Sequence, residues 1–169
     1  MSESTKKLTR CAFAAAYGVI ALLIGSVISV LDLSMLCLSS FGVIFAMLRY
    51  GNGRALLTYA ATALLAWILL PEKLIALAYT VVTGIYPILK LRAERKTKPL
   101  LRWGIKLTYC NGVLLLWYSF GRALFGVSGE PDYPMLLLFL FGNAGFLVYD
   151  FALTQLVLIY IRKIARRIR

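Results

Sequence analysis

No histidine occurs anywhere in these 169 residues, and that single absence removes several chemistries at once. A His-ligated metal, a Ser-His-Asp triad and a Cys-His dyad all need an imidazole. Acids are scarce too. Seven Asp and Glu stand against nineteen Lys and Arg, a net charge of +12. No two acids share an apolar stretch and no Ser/Lys dyad shows a clear spacing, so general acid-base work would rest on Asp150 alone. The three cysteines, Cys11, Cys37 and Cys110, are odd in number, widely spaced and set in apolar runs, which excludes a CxxC pair and a disulfide framework. There is no Gly-x-x-x-x-Gly-Lys-Ser/Thr phosphate loop. These absences together predict a chain that is not an enzyme and carries no metal and no cofactor.

Long polar segments are also missing, with one exception. Lys90 to Arg102, KLRAERKTKPLLR, has six basic residues in thirteen and a single acid, Glu94. What fills the rest is hydrocarbon: 61% of residues are apolar, 15% are charged and the mean hydropathy is +0.81, against about 25% charged in a globular domain. Apolar runs recur at about 8–31, 33–49, 55–70, 74–90, 103–125 and 135–160. At roughly 20 residues per crossing, they predict an all-α, polytopic membrane protein: a single domain of six transmembrane helices in a compact bundle. The first run is too long for a signal-peptide core and is expected to stay as a helix.

The positions of the charges then set the sidedness. Lys6, Lys7 and Arg10, Arg49 and Arg54, the 90–102 loop, and Arg162 to Arg169 hold sixteen of the nineteen cations, and all fall on one side if the spans alternate. The opposite connectors carry Lys73 with the acids Asp32, Glu72, Glu130 and Asp132. Basic segments stay on the cytoplasmic face, so both termini are expected in the cytoplasm. The lipid bilayer, with its anionic headgroups, accounts for the basic clusters. Nucleic acid is not expected, because exposed aromatics are not interleaved with them.

Polar residues inside the spans are the candidate site. Asp150 lies deep in the sixth run, where a carboxylate costs several kcal/mol unless it is paired or wet. Asn143 and Thr154, seven before and four after, share its helical face. The fifth run offers Thr108, Asn111, Tyr118 and Arg122 at matching spacings. Counting back from the loop between the two helices sets Asn111 level with Asp150, and Tyr118 level with Asn143. Two readings follow: the wall of an outward cavity for a small solute, or helix-to-helix hydrogen bonds in which Asp150 and Asn111 satisfy one another. Lys106 reads as a snorkelling anchor. Tyr79, Thr83, Tyr86 and Lys90 form a further stripe, with Pro87 expected to kink or end the fourth span.

The first run carries a small-residue stripe, Ala14, Gly18, Ala21, Gly25 and Ser29, beside Ala12-x-x-x-Ala16. Such surfaces let another helix approach closely. Six short helices, the Ala-rich first helix LTRCAFAAAYGVIALL, and the DLS segment leading to RYGNGRAL together resemble the substrate-binding S components of energy-coupling-factor vitamin transporters. That resemblance implies that Ala12 and Ala16, with Ala14 and Gly18 beside them, dock on a membrane coupling subunit. It also implies a separate ATPase module that energises uptake of a vitamin-like solute through a bacterial plasma membrane. The stretch LPEKLIALAYTVVTGIYPILK is also similar to small membrane proteins of Gram-positive anaerobes, which supplies no activity. The alternative expectation is a structural or accessory multi-pass protein without a ligand.

Overall fold

The computed structural model describes residues 3–96, 98–125 and 135–164, and every regular element among them is helical. In chain order these are α1 (Glu3–Val27), a short 3₁₀ turn (Ser29–Leu31), α2 (Asp32–Tyr50) and α3 (Asn52–Leu69). There follow α4 (Lys73–Ala78) with a π-turn (Tyr79–Thr83), α5 (Tyr86–Lys96), α6 (Pro99–Phe125) and α7 (Met135–Ile159), the last running into a π-turn (Tyr160–Ile164). Four stretches are long and apolar enough to cross a membrane: Glu3–Val27, Asp32–Tyr50, Lys73–Glu94 and Phe139–Arg162. The chain forms two compact units. The first holds Met1–Leu91 with Leu153–Arg169, the second Arg92–Ala152.

Local chemistry moves several helix ends away from where the apolar runs put them. α1 stops at Val27 instead of near 31, and α2 already begins at Asp32. Val27, Ile28 and Val30 are β-branched and poor helix formers, whereas Asp32 in a first turn meets the positive end of the helix dipole. In the Tyr50–Arg54 turn only Gly51 takes a positive φ, +87°, and α3 starts at once with Asn52. The basic 90–102 segment is mostly helix rather than loop: α5 runs to Lys96 and α6 resumes at Pro99. Leu, Arg, Ala, Glu and Lys are all strong helix formers, and Pro suits a first helical position because its missing N–H has no partner to lose.

The core of the first unit is a close three-helix contact. α2 meets α1 at Gly42, where an added Cβ would lie 2.5 Å from the Ala14 carbonyl oxygen. Gly18 faces Thr62 of α3, at 3.1 Å from its methyl, and Ala21 and Gly25 are buried. Most of the small-residue stripe is therefore used inside the molecule. Leu22, Leu36, Ala63, Ala66 and Leu70 form one apolar cluster with Ile75, Ala76 and Tyr79. A second cluster joins Cys11, Val43, Met47, Ala55, Ile88 and Leu91, with Val157 of α7 against it.

The fourth span breaks upstream of Pro87 rather than at it. Within the π-turn the Gly84 N–H bonds the Tyr79 carbonyl at 2.7 Å, which skips Thr80, and Pro87 has no N–H to offer Thr83. Both freed carbonyls are taken by side chains. The Tyr59 hydroxyl of α3 donates to Thr80 O at 2.9 Å, and the Ser40 hydroxyl of α2 donates to Thr83 O at 2.9 Å. At the far end of α3, Lys73 Nζ donates to the carbonyls of Trp67 (2.7 Å) and Leu70 (2.9 Å), capping the helix.

Candidate functional site

α6 and α7 of the second unit run antiparallel, and their polar residues meet in pairs. Asp150, 8% exposed, accepts a hydrogen bond from Lys106 Nζ at 2.8 Å. The same ammonium reaches Glu94 Oε1, on the last turns of α5, at 3.2 Å, and lies 5.6 Å from the centre of the Trp103 ring. Two turns along, Asn143 Nδ2 donates to Asn111 Oδ1 at 3.1 Å and to Phe139 O at 2.8 Å. Asn111 in turn donates to Leu107 O at 3.0 Å. Between and beyond these pairs Tyr109 packs on Phe146, and Leu114 fills the space beside Gly142, where a Cβ would come within 2.7 Å. The glycine is what lets the helices close on one another.

Two sequence expectations are corrected here. Asp150 pairs with Lys106, not Asn111, and Asn111 meets Asn143, seven residues away from the partner predicted for it, or roughly 10 Å along a helix. Counting from the centre of the loop assumes that both helices end level. Extending the observed pairs puts Met135, where α7 begins, level with about residue 120 of α6, which continues to Phe125. The overhang of about a turn and a half displaces the register. The second correction is Lys106 itself. Its side chain is 10% exposed, so it is an interior ion-pair member rather than a snorkelling anchor.

Of the other candidates, Thr154 belongs to the first unit, where its hydroxyl accepts a hydrogen bond from Lys90 Nζ at 2.7 Å. Lys90 is 1% exposed, and Tyr79, Thr83 and Tyr86 of the same stripe are buried. The side chains of Tyr118 and Arg122 lie outside the described residues. On α1, Gly18 is buried and Ala14 is half-buried against Gly42, whereas Ala12 and Ala16 are exposed.

The residues that the sequence reading passed over are Lys106 and Glu94. A signal for the first existed: an acid deep in one helix of a hairpin calls for a cation on the other, and Lys106 stands near the inner end of that other helix. Glu94 gave none, because as the sole acid of a basic segment it reads as solvated. Chemically the cluster is one ammonium shared by two carboxylates, with side chains 10%, 11% and 32% exposed for Lys106, Asp150 and Glu94. Buried charges of this kind are tolerated because each compensates the other's loss of hydration. The arrangement ties three helical segments together through directional bonds. No protein-family model, curated protein or solved structure matches this chain.

Proposed function

We propose that the chain is a six-span protein of a bacterial plasma membrane, with both ends cytoplasmic, acting as a non-catalytic structural or accessory subunit. In this reading the intramembrane polar groups join helices. The observation that carries it is the direct contact of Lys106 with Asp150: the carboxylate that a bound solute would need is already taken up by a helix-to-helix ion pair. Four stretches apolar enough to cross a bilayer support the membrane setting, and the six apolar runs with their one-sided cations are the ground for the span count and sidedness. The test is Asp150→Leu. Lower thermal stability with unchanged solute uptake is expected; intact stability with lost uptake would sink the proposal.

A second reading, the S-component-like solute-binding subunit, has one observation in its favour. Ala12 and Ala16 are both exposed on α1 while the neighbouring small residues pack inward, which leaves the Ala-x-x-x-Ala face free for a coupling subunit. Co-expression with a coupling subunit and its ATPases tests this directly. The reading requires co-purification, lost on Ala16→Trp, and a rise in melting temperature with a water-soluble vitamin; failure of both ends it.

A further inference from the structure

The crossing of α1 and α2 in the first unit leaves a cavity of about 400 Å³ lined by Phe13, Tyr17, Phe41, Gly42 and Phe45, with Arg10 at its end. Its origin is local. Gly42 brings α2 against the Ala14 backbone, so the large aromatics on either side of the contact stand apart and enclose a groove. The α2 wall is fixed by edge-on ring contacts: Phe41 and Phe45 with Tyr160, at 6.4 and 5.9 Å, and Phe45 with Tyr50 at 5.9 Å. The α1 wall is open, with Phe13 72% and Tyr17 39% exposed.

The end of this groove is basic. Arg10 is exposed, and its guanidinium lies within electrostatic reach of the Tyr50 hydroxyl without the geometry of a hydrogen bond. That hydroxyl is buried and has no hydrogen-bond partner among the described residues. Arg54 of α3 lies over the Tyr50 ring, 5.7 Å from its centre. Two guanidiniums thus stand near one phenol, and one of them, that of Arg10, belongs to the wall of the aromatic groove. Neighbouring Lys7 is already paired with Glu3 at 3.2 Å.

We propose that this groove binds an anionic phospholipid, with its phosphodiester at Arg10 and one acyl chain along Phe13, Tyr17, Phe41 and Phe45. The polarity is that of an amphiphile, cationic at one end and apolar along its length. The volume falls within the range of about 300–1,000 Å³ that accommodates small organic ligands. A partner helix, about 10 Å across, would lie over such a groove, whereas a chain of methylenes enters it. Guanidinium is the side chain best suited to phosphate oxygens, and anionic lipids concentrate where basic residues face the cytoplasmic leaflet. The inference requires a membrane protein but neither of the two functional readings above.

The experiment uses the full chain in neutral detergent, titrated with dioleoyl phosphatidylglycerol or dioleoyl phosphatidylcholine and followed by native mass spectrometry and thermal melting. The phosphatidylglycerol lipid is expected to be retained about five- to tenfold more strongly than its zwitterionic counterpart. Arg10→Gln removes that preference. Phe13→Ala weakens retention of both lipids alike. Lys6→Gln, which removes an exposed cation outside the groove, leaves the preference in place. All three positions are exposed, so helicity by circular dichroism should be unchanged, and the ratio in the unaltered protein stands without any variant. Equal retention of the two lipids overturns the proposal. So does a loss with Lys6→Gln as large as with Arg10→Gln, which would mark diffuse attraction. Stabilisation by glycerol phosphate equal to that by the lipid would mark a free-anion site and exclude the acyl groove.

Discussion

Replacing Lys106 by Met removes the ammonium shared by Asp150 and Glu94 and leaves two carboxylates facing the position it held. Met keeps the length of the stem, so the packing change is small and the loss is electrostatic. Breaking one partner of a buried ion pair costs about 3–5 kcal/mol. At about 2–4 °C per kcal/mol for a chain of this size, the lower bound corresponds to a fall of about 6–12 °C. Asp150→Leu should cost less, about 1–2 kcal/mol, because Lys106 retains Glu94 at 3.2 Å. In the double variant only Glu94 remains, and its side chain is 32% exposed, so water can take up its charge. The double variant should therefore be more stable than Lys106→Met alone, with a coupling of about 1–3 kcal/mol. Thermal melting in detergent, on all four corners of the cycle, measures it. Additive losses, or a Lys106→Met protein that melts within a degree or two of the original, would refute the shared-ammonium account.

Other expectations rest on different contacts. Gly42→Ala places a methyl 2.5 Å from the Ala14 carbonyl, so α1 and α2 must part, at a cost of about 1–3 kcal/mol in melting experiments. Gly104→Ala meets nothing within 4 Å and should stabilise α6 by up to about 1 kcal/mol, which makes it the matched control. Tyr59→Phe strips the donor from the Thr80 carbonyl and should cost about 1 kcal/mol, visible as faster hydrogen exchange in the π-turn. A cysteine at Lys98 should be shielded from impermeant thiol reagents on intact cells and react after lysis. Labelling on intact cells would reverse the proposed sidedness.

The helices were legible from hydropathy because each apolar run is long and closed by charge or glycine. Their ends were less so. The α1 terminus turned on β-branched Val27 and Ile28 together with an acid at Asp32, and the continuity of α5 through Lys96 on helix propensities within a segment that reads as polar. Asp150 stood out as a lone carboxylate among apolar neighbours. Its partner was signalled by charge but not by depth, because register between antiparallel helices depends on how far each extends past the other, and the sequence carries no mark of the overhang of α6. The small residues of α1 read as a stripe with Ala12 and Ala16 beside it, and the structure gives the two sets different surroundings. Gly18 and Ala14 face neighbours and Ala12 and Ala16 do not; the helical period separates the two faces without saying which of them turns inward.

The interruption between α4 and α5 has a wider effect on assembly. Among lipid tails, leucine against leucine gives little reason to prefer one neighbouring helix over another. Two backbone oxygens stripped of their usual amides do, since hydrocarbon offers them no substitute. One is answered by a phenol and the other by a serine, each from a different helix. An apparent flaw in one rod thereby selects which two others stand beside it, and at what height.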